Sequence, residues 1–203
     1  MLIVLTLGCV STSVLAQGNR HGPDDVSVEL VGQVTNPTPA TSFQIGYLNY
    51  INGIDSSIFG GSPQNETTAL FTFYADTVTT RVINNGSTRI INREGTFAVY
   101  SDASMNSNFA DSETFRDGQQ IMTADLRHQV IVDTVTGAFT ATFVLTVVSN
   151  DPFALDGKLL RLGKVGDKLR LTFQGHLNSP SPPSGYIAGY IVGNSLVQPE
   201  KSQ

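Results

Sequence analysis

Apolar and polar residues alternate with a period of two along most of the chain, and this feature constrains the fold more than any other. Phe139, Phe143 and Val147, for example, share one face of the run from Ala138 to Ser149. A period of two places successive side chains on opposite faces of a β-strand. No long segment has the 3.6-residue period of an amphipathic helix. The sequence therefore predicts an all-β, antiparallel protein.

Turn-forming residues divide the chain into eight strands. Asn84-Asn85-Gly86-Ser87 is typical of a tight hairpin because Asn and Gly tolerate positive φ angles. Residues 101–118, rich in Asp, Asn and Ser, form the longest irregular connection. The predicted strands cover about residues 26–31, 42–51, 68–83, 88–100, 119–133, 138–149, 168–176 and 186–193.

Eight antiparallel strands can protect their edges in two ways, as an up-and-down β-barrel or as a two-sheet β-sandwich. Several predicted strands reach ten residues or more, which favours the tilted wall of a barrel. This architecture resembles, at the level of fold, the lipocalin-like (calycin) barrels and those of the allene oxide cyclase and dirigent type. Lipocalins carry a Gly-x-Trp signature near the first strand, and this chain has no Trp. The resemblance therefore implies a fold and carries over neither a ligand nor catalytic residues.

Residues 1–16 have the pattern of a signal peptide. An apolar stretch is followed by Val14-Leu15-Ala16, which suits cleavage after Ala16. We therefore expect a secreted, periplasmic or cell-envelope protein with no membrane span after cleavage. The expected organisation is a flexible mature N-terminus at 17–25, one β domain at 26–197 and a polar tail at 198–203.

Cys9 is the only cysteine and lies inside this leader. The mature chain is therefore expected to have no disulfide and no thiolate chemistry. Acylation of Cys9, which would attach the protein to a membrane as a lipoprotein, is the alternative to cleavage after Ala16.

Charge and motif content exclude several function classes. A net charge of −5 and only 14% charged residues give no basic surface for nucleic-acid phosphates. No Gly-rich phosphate-binding loop and no Gly-x-Ser-x-Gly nucleophile motif occurs, so no cofactor is expected. The three histidines are dispersed and lack zinc-site spacing.

Strand parity predicts a polar cluster inside the barrel. His128 shares the apolar parity of Leu126 and Val130, and Arg93 shares that of Ile91 and Phe97. In the third strand, Leu70 shares parity with Tyr74 and Asp76. The candidate ligand-binding cluster is therefore Tyr74, Asp76, Arg93 and His128.

In this cluster Arg93 and Asp76 would pair their charges. In a ligand-binding cluster, His128 would act as an acid or base near neutral pH, Arg93 would hold an anionic or carbonyl group, and Tyr74 would donate a proton or a hydrogen bond. A structural polar network inside the barrel is the alternative interpretation.

Oxygen-bearing side chains in the 101–118 connection are weak calcium candidates. An EF-hand pattern is absent, and a solvated loop is the alternative interpretation. The candidates are Asp102, Asn106, Asn108 and Asp111.

Three functional interpretations remain open. The first is a barrel that binds a small apolar or amphipathic ligand in its lumen, with cyclase- or isomerase-like chemistry as a variant. It predicts a cavity lined by Phe71 or Phe73 or by residues of the opposite parity. The second is a non-enzymatic secreted or envelope module with a filled core that acts through its surface loops, 101–118 and 179–185. The third is a carbohydrate-binding face that carries Tyr47, Tyr50, Tyr186 and Tyr190.

Overall fold

The computed structural model describes residues 26–178, 184–193 and 197–199. The predicted leader, Cys9 and residues 17–25 lie outside these described residues, as does most of the predicted 198–203 tail. Among these residues a short 3₁₀ helix, Ser112–Phe115, accompanies the strands. The strands are β1 (Val26–Thr38), β2 (Thr41–Ile51), β3 (Phe71–Asn85), β4 (Thr88–Ser101), β5 (Gln119–Asp133), β6 (Ala138–Asn150), β7 (Phe153–Leu155), β8 (Lys158–Leu162), β9 (Lys168–Asn178), β10 (Ser184–Val192) and β11 (Val197–Pro199).

Eight of these strands form a closed antiparallel barrel, in the order β1-β10-β9-β6-β5-β4-β3-β2. Each barrel strand lies beside its sequence neighbours among the eight, and β10 pairs with β1 to close the wall. The predicted up-and-down barrel is therefore confirmed, and the sandwich alternative is excluded. Closure leaves the main sheet without an edge strand.

The first strand is longer than predicted. The predicted strand covers about residues 26–31, yet the chain stays extended through Asn36 and Pro37 as far as Thr38. The register with β2 shifts between Thr35 and Thr38. Because Pro has no N–H to donate, the ladder is interrupted at this point while the extended backbone continues.

A second, three-stranded sheet in the order β11-β8-β7 was not predicted. Its strands have three to five residues, too few for alternation to be recognised. Phe153 of β7 packs edge-on against Phe71 of β3, with 5.3 Å between ring centroids. Phe153 and Leu162 are buried in the main core, so this sheet covers one part of the barrel interior.

Closely packed side chains fill the half of the barrel interior that this three-stranded sheet covers. The ring of Phe73 stacks on Phe97 and Phe173, with centroid distances of 5.7 and 5.9 Å. Gly32 and Gly46 face each other in the β1–β2 register. A Cβ at Gly32 would lie 2.0 Å from the carbonyl oxygen of Ile45, so no larger residue fits this approach of the two strands.

Within the described residues, no helix is long and apolar enough to cross a membrane.

The 101–118 connection packs against the outside of the barrel. Phe115 is fully buried in a small outer cluster with Ile45 and Tyr74. The hydroxyl of Thr72 donates a 2.9 Å hydrogen bond to the carbonyl oxygen of Phe115. The connection therefore covers the outer face of β2 and β3.

Candidate functional site

The other half of the barrel contains a cavity of about 1030 Å³. It extends to the end of the barrel at which the β1–β2 and β5–β6 turns lie, and residues of both turns line it. The volume is at the upper limit of the roughly 300–1,000 Å³ typical of small-molecule sites. Apolar side chains make up most of its inner wall: Val34, Ile91, Val130, Val132, Phe139, Ala141, Phe143, Phe173 and Ile187.

Two predicted polar residues, Arg93 and His128, line this cavity together. They are direct partners in the β4–β5 register, which places both side chains on the inner face of the wall. Both are buried, with exposed fractions of 6% and 4%. The prediction that they face the interior is therefore correct.

Arg93 is held by neutral oxygen atoms. Its Nη2 donates to Oδ1 of Asn36 at 2.8 Å, and its Nε donates to Oγ1 of Thr79 at 3.2 Å. Within the described residues, no carboxylate lies close enough to Arg93 to form an ion pair. Burial lowers the pKa of Arg93 to about 10, so the guanidinium remains charged at neutral pH. The lumen therefore contains a buried positive charge that this part of the chain does not neutralise.

His128 lies beside this charge without hydrogen bonds. In the described part of the chain neither ring nitrogen has a partner, and the ring packs edge-on against Phe143 at 4.4 Å between centroids. Burial, reinforced by the nearby charge of Arg93, lowers the pKa of His128 to about 3. The imidazole is therefore neutral near pH 7, with one nitrogen able to donate and the other able to accept.

A third polar group, Gln44, also lines the cavity. Its Nε2 donates to Oγ of Ser42 at 2.7 Å, while Oε1 is buried and has no partner among the described residues. Unpaired buried polar atoms are rare because they lose their hydrogen bonds to water. Gln44 and His128 thus bring three such atoms to one cavity. Gln44 was not predicted to line the lumen. Apolar residues occur on both faces of its strand, so the sequence does not indicate which face is the inner one.

Arg93 and His128 lie at the inner end of the cavity. The next inward-facing residues toward the filled half, Gly95 and Leu126, are partners in the register but do not line it. In the opposite direction, Ile91 and Val130 are the next partners and do line it. The polar groups are therefore deep, and apolar wall separates them from the turns at the end of the barrel.

The prediction that Tyr74 and Asp76 face the interior is wrong. The inward residues of β3 are Phe71, Phe73, Ala75 and Thr77, since these pair with the inward residues of β4.

Asp76 is on the outer face, with 59% of its side chain exposed, and lies 3.6 Å from Arg116. Tyr74 lies under the guanidinium of Arg116, whose Cζ is 4.4 Å from the ring centroid. Arg116, not Arg93, is therefore the cation beside Asp76.

The error has a physical cause. Residues 71–75 of β3 are buried on both faces, because the 101–118 connection covers the outside and the core covers the inside. Alternation identifies an inner face only when the other face is exposed to solvent. Phe71 and Phe73 belong to the filled half and do not line the cavity.

The four calcium candidates are used in local turns. Oδ1 of Asp102 accepts from the backbone N–H groups of Ser104 and Met105, and Oδ1 of Asp111 caps the 3₁₀ helix through Glu113. Asn108 accepts from Ala110 N–H, and Asn106 donates to Asp117. Among the described residues, no group of three or more His, Cys, Asp or Glu side chains is placed to hold a metal ion.

Three of the four tyrosines proposed for a carbohydrate face are exposed on the outside of the barrel. Glu29 is the register partner of Tyr190 on one side and of Tyr50 on the other, so these residues form a row across three strands. Tyr186 lies on the same face of β10 and is 66% exposed. Tyr47 is different, because its ring packs edge-on against Phe59 at 6.0 Å.

Comparison with known proteins adds no relative. No protein-family model matches the chain, and neither a curated protein nor a solved structure matches it.

Proposed function

We propose that this protein binds a small apolar or amphipathic molecule in the lumen of its barrel. The observation that carries the proposal is one cavity of about 1030 Å³ with an apolar wall and a buried polar inner end. Binding sites for small molecules have this composition, with many apolar contacts and a few convergent polar groups. The proposal explains why half of the interior is hollow while the other half is closely packed.

Paired positions on β5 and β6 allow an experiment that distinguishes binding in the lumen from binding on the outer surface. Val130 and Ala141 are partners across β5 and β6, and both line the cavity. The next pair, Ile131 and Thr140, faces outward and is exposed. Replacing Val130 and Ala141 with Phe therefore adds two phenyl rings to the lumen. Replacing Ile131 and Thr140 with Phe adds the same two rings to the solvent-exposed outer face.

We would titrate N-phenyl-1-naphthylamine, a neutral apolar fluorophore, into both double variants and the wild type. The wild type and the control Ile131→Phe/Thr140→Phe are expected to bind it alike. In Val130→Phe/Ala141→Phe the added rings occupy ligand volume, so the affinity is expected to fall at least about tenfold. Equal affinity in all three proteins would contradict a luminal site.

Carbohydrate binding on the outer face is the second candidate, and the row Tyr50, Glu29 and Tyr190 is the observation that favours it. Exposed aromatic rings beside a carboxylate offer both stacking and hydrogen bonding to a sugar. A glycan array probed with the wild type and with Tyr50→Ala/Tyr190→Ala tests this candidate. Binding that is lost in the double variant would support it, and no glycan bound by the wild type would contradict it.

A further inference from the structure

The deepest charged group in the cavity is a cation, and this charge restricts what the lumen accepts. Arg93 lies at the inner end, paired only with the neutral oxygens of Asn36 and Thr79 among its described contacts. The other charged side chains of the cavity wall, Arg89 and Asp133, belong to the hairpin end of the barrel. Oδ1 of Asp133 already accepts from two backbone N–H groups of its own turn.

A buried cation without a counter-ion is costly, and a bound anion removes that cost. Nε and one hydrogen of Nη2 are engaged, which leaves Nη1 and the second Nη2 hydrogen as donors for a ligand. Two donors from one guanidinium match the two oxygens of a carboxylate. The neutral imidazole of His128, the register partner of Arg93, adds a further N–H donor.

The order of residues along the strands gives the ligand a direction. From Arg93 and His128 toward the turns, the first inward side chains are the register partners Ile91 and Val130, and Val132 follows on β5. Asp133 follows His128 by five positions along β5, which corresponds to about 16 Å of strand. An apolar chain attached to the anion would therefore lie along this wall.

Resting on the proposed luminal function, we infer that the ligand is a singly charged amphipathic anion that binds head first. Its carboxylate is bound by Arg93 and His128 at the inner end of the cavity. Its apolar tail lies against Ile91, Val130 and Val132 and points toward the turns. A dianionic or cationic head group does not fit, since this end offers one fixed positive charge and no described carboxylate.

Decanoate and decan-1-ol test the head group, because they share a chain and differ in charge. Each would be used at about neutral pH to displace N-phenyl-1-naphthylamine from the wild type, Arg93→Met and Arg127→Met. Met fills a volume similar to the Arg stem and suits an apolar wall. Arg127 is the matched control because it lies on the outer face of β5, where it pairs with Glu94 at 3.3 Å.

The wild type and Arg127→Met are expected to bind decanoate at least about tenfold more tightly than decan-1-ol. Arg93→Met is expected to lose this preference while it still binds decan-1-ol. Equal affinities for decanoate and decan-1-ol in the wild type, or a preference that survives in Arg93→Met, would overturn the anionic ligand. Failure of the wild type to bind the fluorophore and both decyl compounds would instead overturn the luminal function itself.

A second measurement covers the case in which Arg93→Met does not fold. In the wild type at about neutral pH, decanoate is expected to shift the imidazole ¹⁵N resonances of His128, because its carboxylate accepts a hydrogen bond from the ring. Decan-1-ol is expected to shift these resonances less, because its head group is uncharged. Equal shifts with both compounds would contradict binding of the carboxylate at the inner end.

Discussion

Acid is expected to destabilise this barrel through His128, whose imidazole is buried and uncharged at neutral pH in the folded protein. A histidine in an unfolded chain has a pKa of about 6.5, whereas burial and Arg93 lower the pKa of His128 to about 3. Below pH 6.5 the unfolded chain therefore binds a proton that the folded chain does not. The contribution of His128 to stability is complete above pH 6.5 and is lost progressively as the pH falls toward 3.

The size of this effect follows from the separation of the two pKa values. Each pH unit below the unfolded-state pKa costs about 1.4 kcal/mol of folding free energy, so about 3 kcal/mol is lost at about pH 4.5. The substitution His128→Leu removes the titrating group and places an apolar side chain of similar size beside Phe143. Gln129→Leu is the control, because Gln129 is the exposed neighbour on the outer face of β5.

The assay is urea unfolding of the three proteins at several pH values between about 7.5 and 4.5. Carboxylates that become protonated in this range affect all three proteins alike, so the difference between the curves isolates His128. The wild type and Gln129→Leu are expected to lose about 3 kcal/mol more than His128→Leu over this range. Parallel stability curves for all three proteins would refute a buried, neutral His128.

Further predictions concern the wall and the outer cluster. Gly95→Ala is expected to cost about 3 kcal/mol or more, because the new Cβ would lie 1.9 Å from the carbonyl oxygen of Asp76. Gly86→Ala, at a hairpin φ of +59° with nothing within 4 Å, should cost only about 1 kcal/mol, and equal losses in thermal unfolding would contradict this difference. Phe115→Ala is expected to cost about 3–5 kcal/mol and to expose the 101–118 connection to proteolysis. Arg116→Ala should cost less than about 1 kcal/mol, because its ion pairs are partly exposed, and an equal loss in both variants would contradict the outer cluster.

The sequence predicts β5 well because the physical conditions for alternation hold there. Its inner residues are buried, its outer residues are largely exposed, and the structure reproduces its predicted bounds, Gln119–Asp133. The orientation of His128 follows directly from this pattern. The orientation of Tyr74 does not, since a segment about 40 residues further along the chain, around Phe115, buries the outer face of β3. Local periodicity contains no information about such a distant cover.

The position of the cavity also cannot be predicted from the alternation of polar and apolar residues. Phe97 and Ile91 have the same parity on β4, yet Phe97 packs in the filled half and Ile91 lines the hollow half. Filling depends on how side chains from opposite walls meet across the barrel, as Phe73 meets Phe173. The extra sheet that covers the filled half consists of strands too short for their period to be read. The sequence therefore indicates which residues face inward without indicating where space remains.

The luminal site can be tested most directly by methyl NMR during a titration with N-phenyl-1-naphthylamine. Ile91 and Val130 are an inward pair across β4 and β5, and Ile90 and Ile131 are the adjacent outward pair on the same strands. Ring currents of the bound aromatic molecule are expected to shift the methyl resonances of Ile91 and Val130 and to leave those of Ile90 and Ile131 in place. Shifts confined to the outward pair, or no shift at either pair, would contradict binding in the lumen.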